Sequence, residues 1–269
     1  MLDAPADSGS IMRPHASALL SAAALSLALL LGGCRAPQAP TDAASPAAAP
    51  GPSATVLPAD AVRIDPVGPL ARFPALAEAV AGASARHRAA FEAEAAAARA
   101  RGEDVAGWRL RLAWRGLVGN RYLRVAQGEG EAVRGPGVEA PIVERYTYDG
   151  VSGRVLALRD WFEDDAVWPA IAAVAREGLL AEAAMRGTDD AAWRARIEAA
   201  TMPDPAAFAL YEPVFSADGP VMGFDLLFPP GRVAPAGAGV RRVRIPLALV
   251  EPYLATAHRD SLYAMAGSE

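Results

Sequence analysis

Cys34 carries the clearest chemistry in this sequence. It is the single cysteine of 269 residues, so no second cysteine in the chain can pair with it. It closes Leu31-Gly32-Gly33-Cys34, at the end of an apolar run of mostly Ala and Leu from Ala18 to Leu31. A membrane span needs about 20 apolar residues, and this run is shorter and ends abruptly in small residues. Small residues leading into a cysteine have the form of a bacterial lipobox, with cleavage before Cys34 and diacylglycerol on its sulfur. An ordinary signal peptide beside an isolated cysteine is the competing reading. Met1 to Ile11 carries Asp3 and Asp7 and no basic residue, whereas Met12-Arg13 supplies a start and a positive charge directly before the apolar run. Translation is therefore expected to begin at Met12.

The other groups able to do chemistry are few. Glu163-Asp164-Asp165 is the densest carboxylate cluster, and its expected role is to favour the positive end of the following helix. His87 falls on an apolar helix face and is expected to pack in the core, while His258, beside Arg259-Asp260, is expected at the surface. There is no Gly-x-Ser-x-Gly elbow, phosphate-binding loop, dinucleotide glycine pattern or metal-ligand spacing. No catalytic residue, metal or cofactor is expected from these patterns. Arginine supplies one further candidate. Arg109, Arg111 and Arg115 alternate along one segment and Arg242 and Arg244 along another. If the two strands are neighbours, their faces merge into a basic patch for an anionic partner. A solvated sheet face is the competing reading.

Composition bounds the setting. The chain has 26 basic residues, all arginine, against 31 acidic ones, for a net charge of −5. Nothing in that balance suggests nucleic-acid binding. Arg35, not Asp, follows the cysteine, which favours a lipid-anchored protein of the outer membrane facing the periplasm.

The elements that must position these groups follow from patterning. Residues 1–33 read as the signal peptide and 34–57 as an Ala/Pro-rich disordered tether. Residues 58–269 form the body, with an N-terminal half to about 145 and a C-terminal half from 146 to about 260. Its first element is expected to be a long helix. Pro74 suits the first turn, Leu76, Val80, Ala83, His87, Phe91 and Ala95 share a face, and Gly102 ends it. Trp108 to Arg115 alternates as a half-buried strand, Gly116 to Asn120 turns the chain, and Arg121 to Gln127 returns. Gly128 to Gly137 reads as a Gly/Glu loop, and Val143 to Tyr148 as the next strand, turning back through Gly150 and Gly153. Helices follow over Val167 to Met185 and, capped by Asp189-Asp190, to about Ala200. Three strands then run over 209–215, 221–228 and 240–245, with a hairpin turn at Asp218-Gly219 and a short helix after Pro246. Strands and helices in runs with hairpin-length loops argue an α+β fold: antiparallel sheets with a long N-terminal helix and helices packed on one face.

Two segments carry a resemblance. Tyr146-Thr147-Tyr148-Asp149-Gly150-Val151-Ser152-Gly153, continuing to Asp160-Trp161-Phe162, and Phe228-Pro229-Pro230 through Gly239 to Ile245-Pro246 resemble the RsiV/PdaC-type domain of unknown function. That domain forms the extracellular part of RsiV anti-sigma factors and precedes PdaC-type peptidoglycan deacetylases. With Phe73-Pro74 the resemblance covers most of residues 70–255. The chain departs from the family's pattern at Arg134 to Val138, where a histidine is usual, and at Gly231 to Val233, where an aromatic is usual, and no deacetylase domain is expected. The motif residues have scaffold roles. Gly150 and Gly153 are expected to supply positive φ, Leu156, Leu158 and Phe162 to enter the core, and Gly239 to permit a bulge or close backbone approach.

The resemblance implies a non-enzymatic binding module of the cell envelope, recognising a lysozyme-like muramidase or cell-wall material. An envelope hydrolase acting on peptidoglycan or an ester stays open beside it, as does an envelope assembly factor offering an open sheet edge.

Overall fold

Alternation over 108–115 drives the first hairpin, and the strand outruns it. In the computed structural model β1 is Val62–Asp65, β2 Arg109–Gly119, β3 Leu123–Val133, β4 Glu139–Asp149 and β5 Arg154–Leu156. They make one sheet in the order β1-β2-β3-β4-β5, antiparallel except for the parallel pair β1–β2. The structure describes residues 57–66, 68, 70–135, 137–188 and 190–266. Cys34, the signal peptide, Met12 and all of the tether but Leu57 lie outside the described residues.

Four expectations are corrected here. A short strand, β1, precedes the long helix and edges the sheet. Of the expected Gly/Glu loop, Gly128 to Val133 is instead the second half of β3. Gly128 pairs with Trp114 across the strands, and a Cβ there would lie 2.9 Å from the Trp114 ring. The glycine is room for an indole, not a break in the strand. The expected turn at Gly116 to Asn120 also lies partly inside β2, whose register shifts between Arg115 and Val118. β4 runs unbroken across residues 145 and 146.

Helix α1, Pro74–Ala100, covers one face of this sheet. Leu76, Val80 and Ala83 meet Leu112, Trp114, Ala126 and Tyr148, while Phe91, Ala95 and Ala98 meet Trp108, Leu110 and Ala132. Burying each large side chain contributes about 1.5–3 kcal/mol. Both groups are those the spacing of three and four selects.

The C-terminal half builds a second layer pair. α2 is Val167–Met185 and α3 Ala191–Ala200. Strands β6 Tyr211–Phe215, β7 Val221–Phe228 and β8 Arg241–Pro246 form an antiparallel sheet in that order. One face of it, Tyr211, Phe224, Leu226, Phe228, Val243 and Ile245, packs with α2 and α3 into a single core. α2 comes close to β8, since a Cβ on Gly178 would lie 3.0 Å from the Val243 side chain. Alternation turns the opposite face, with Glu212, Asp225, Arg242 and Arg244, toward the first sheet. The fold is α+β, with antiparallel-rich sheets and helices packed against them. α1 lies outside the first sheet and α2 outside the second.

Among the described residues no helix is long and apolar enough to cross a membrane. Glu163, Asp164 and Asp165 precede α2, whose first turn carries no acidic residue and whose N-cap, Ala166, has no side-chain bond, so their contacts are not those of a helix cap. Asp164 accepts from the Ala166 N–H at 2.8 Å, Asp165 from the Trp168 indole at 3.0 Å, and Glu163 from the Thr256 N–H at 2.8 Å.

Candidate functional site

Glu212 and Asp225 stand directly opposite one another on β6 and β7, and Arg244 stands opposite Asp225 on β8. Two like charges facing each other across a strand pair repel, so the sheet needs cations at this spot. Arg242 supplies one. Its Nη1 reaches Glu212 Oε1 at 2.5 Å and Asp225 Oδ2 at 2.9 Å. Arg244 supplies the second through Nε to Asp225 Oδ1 at 2.5 Å and Nη2 to Oδ2 at 3.2 Å, a forked geometry. The first sheet supplies the third. Arg145 donates from Nε to Glu212 Oε2 at 2.6 Å and from Nη2 to Glu129 at 2.7 Å, and Gln127 donates to the same Glu212 oxygen at 3.0 Å. Arg145 and Glu212 are nearly buried, at 3% and 8% side-chain exposure, whereas Arg242 and Arg244 are half exposed at 49% and 53%. Contact with Asp225 raises the pKa of both guanidiniums. For Arg244 its hydrogen bond is the leading cause, and for Arg242 it overcomes the opposing effect of burial.

This charged seam joins the two sheets. On one side a crevice of about 210 Å³ is lined by Val118, Val125 and Val214 together with Glu212, Asp225, Arg242 and Arg244. On the other, a crevice of about 270 Å³ opens among Glu129, Pro141, Val143, Arg145, Leu227 and Arg242.

The five arginines singled out by alternation are not equivalent. β2 and β8 lie in different sheets, so no single strand pair merges their faces. Arg242 and Arg244 come together at the seam. Arg115 is exposed and stands opposite Gln127, next to the seam. Arg111 donates to the Asp60 carbonyl at 2.8 Å, and Arg109 lies 4.0 Å from Glu131, farther along β2. Sequence reasoning missed Arg145, Glu212 and Asp225. Asp225 is the legible one, a lone charge inside the apolar run Val221 to Phe228.

Two more polar clusters hold the histidines. His87 is not enclosed in apolar core. It sits between the two groups that α1 buries, its Nε2 2.8 Å from Glu144 Oε1, and Tyr146 donates to the other Glu144 oxygen at 3.0 Å. Burial opposes the charge on Glu144, but the bonds from His87 and Tyr146 prevail and hold its carboxyl below the usual range. His258 is buried, not at the surface. The C-terminal turns fold back so that its Nδ1 lies 3.2 Å from Asp149 Oδ2 and its ring packs on Trp161. Ser261 donates to Asp149 Oδ1 at 2.5 Å, and Asn120 donates to the Ser261 carbonyl at 2.8 Å. Desolvation opposes ionisation of Asp149, yet the bonds from Ser261, Ser152 and Val151 lower its pKa. Both histidines thus face carboxylates, and Ser261 faces Asp149 instead of His258. Among the described residues no group of three or more His, Cys, Asp or Glu is placed to hold a metal ion.

The motif glycines also differ from expectation. Gly153 has φ +70°, but Gly150 serves close approach, its Cβ position 3.0 Å from the Tyr122 carbonyl. Gly239 has φ +76° after a short turn and no neighbour within 4 Å of a Cβ, so it supplies conformation and not close approach.

No protein-family model matches this chain, and no curated protein matches it. Among solved structures it is similar to a DUF3298 family protein from Pseudomonas aeruginosa PAO1, with 16% identity and a TM-score of 0.43 over 59% of this chain. The chain spans 65% of the length of that protein. It is also similar to a DUF3298 family member from Bacteroides fragilis NCTC 9343, with 14% identity and a TM-score of 0.43 over 66% of this chain and 70% of that one.

Proposed function

We propose that this protein is a lipid-anchored, non-enzymatic binding module of the cell envelope, of the RsiV/PdaC type, facing the periplasm from the outer membrane. Cys34 anchors it, and the body recognises cell-wall material or a lysozyme-like muramidase. The observation that carries the binding reading is the Arg242–Arg244 pair. Buried Asp225 holds both guanidiniums in place while about half of each side chain stays open to solvent. Cations fixed in advance lose little freedom on capturing an anion. Arg115, opposite Gln127 on β2, is a further exposed cation.

The test is a pull-down of the full chain against purified peptidoglycan and a c-type lysozyme, with muramidase and ester hydrolysis assayed in parallel. Binding to either, reduced by Arg242→Gln with Arg244→Gln and without turnover, is the expected result. Turnover of peptidoglycan or an ester would favour a hydrolase, and binding to neither would favour an assembly factor.

A further inference from the structure

We propose that the crevice beside Arg242 and Arg244 takes the terminal carboxylate of a short peptide ending in a small apolar residue, as cell-wall stem peptides do. This rests on the wall-binding reading above and names the group recognised. Three observations support it. Asp225 shows that a single carboxylate spans both guanidiniums, and its bonds leave Nε and Nη2 of Arg242 and Nη1 of Arg244 without a protein partner among the described residues. Those donors are ready for a second carboxylate, and a charge-assisted bond is worth more than a neutral one. Aliphatic side chains share the crevice. Val118 is 51% exposed where the register of β2 shifts, and it lines the crevice with Val125 and Val214, beside the arginines and the two carboxylates, Glu212 and Asp225, that they already hold. Free guanidinium N–H groups next to aliphatic side chains suit a carboxylate on a methyl-bearing carbon. The volume, about 210 Å³, is that of roughly seven water molecules at ~30 Å³ each, enough for an alanine-sized terminus.

The probe is N-acetyl-alanyl-alanine, in its D,D and L,L forms and as the C-terminal amide, titrated calorimetrically into the full chain in detergent micelles. The D,D acid should bind, and the amide should bind at least about tenfold more weakly, the loss expected when a charge-assisted bond is removed. Arg242→Gln with Arg244→Gln should abolish binding. Because those changes also expose Asp225 and Glu212 to mutual repulsion, Val118→Glu serves as a second variant. It places a carboxylate at the crevice mouth without touching the ion pairs, and should weaken the acid about tenfold at unchanged melting temperature. Equal affinity for acid and amide would overturn the proposal, as would undiminished binding by Val118→Glu. Preference for the L,L form would redirect the site to protein C-termini and overturn the wall assignment. Retained peptidoglycan capture without binding of either acid would leave the envelope reading standing and remove the crevice.

Discussion

Two buried aspartates divide the polar chemistry of this fold. Asp149, at the end of β4, is 0% exposed and accepts from Ser261 and from the backbone N–H groups of Val151 and Ser152, with His258 beside it. Asp225, on the central strand of the second sheet, is 1% exposed and is met by two arginines. The first carboxylate is closed. Its partners are short, mostly neutral and hidden, and they tie the C-terminal turns to the β4–β5 turn. The second is open. Its partners are long cations whose far sides reach solvent. A buried carboxylate satisfied by short donors holds the fold together; one satisfied by arginines also presents a surface.

The largest test of this contrast is Asp149→Ala. It strands a buried hydroxyl and a buried histidine and takes the acceptor from two N–H groups of the exposed turn after β4, and unsatisfied buried groups cost about 1–3 kcal/mol each, without strict additivity. A loss of about 4 kcal/mol is expected in urea unfolding, with no change in ligand capture. Glu212→Gln comes next. Breaking a buried ion pair costs about 3–5 kcal/mol, and Arg145 here keeps Glu129 and the carbonyls of Gly128 and Glu144, so about 2–3 kcal/mol is expected. Unlike Asp149→Ala, it should also disturb capture, because it removes one of the two carboxylates that hold Arg242 and leaves only Asp225.

Acid sharpens the comparison. The folded-state pKa values of Asp149 and Glu144 are lowered. Their contribution to stability is therefore present above the unfolded values, about 3.9 and 4.3, and is lost as pH falls through the folded ones. Unfolding free energy should drop steeply below about pH 4, and Asp149→Asn should flatten that limb. Gly128→Ala should cost about 1–3 kcal/mol by forcing the Trp114 ring aside. The smallest effect belongs to Arg115→Gln, an exposed position expected to move stability by no more than about 0.5 kcal/mol while weakening capture of anionic ligands.

Much of the scaffold was legible because its rules are local. The face of α1, the bounds of α2, the Asp190 cap bonding the Trp193 N–H at 2.7 Å, and the three C-terminal strands all follow from spacing and turn chemistry. The candidate site was half legible. Alternation selects Arg242 and Arg244 but cannot show that Asp225 and Glu212 are their counter-ions, because that depends on strand register across 17 to 30 residues of chain. The Gly/Glu stretch of β3 misled for a related reason. Glycine and glutamate are poor strand formers by themselves, and only Trp114 over Gly128 and Arg145 beside Glu129 make a strand the favourable state. His258 misled because its neighbours are polar while its partner, Asp149, lies 109 residues earlier.

The sequence by itself determined the α+β class, the apolar faces and Cys34 as the candidate lipid attachment, since each rests on periodicity or on adjacent residues. Tertiary structure alone decided which charges meet. An ion pair depends on distances of a few ångströms between strands remote in the chain, and those are set by how two sheets pack. The same five arginines, equal in pattern, were thereby divided between solvated strand positions and a seam held by buried carboxylates.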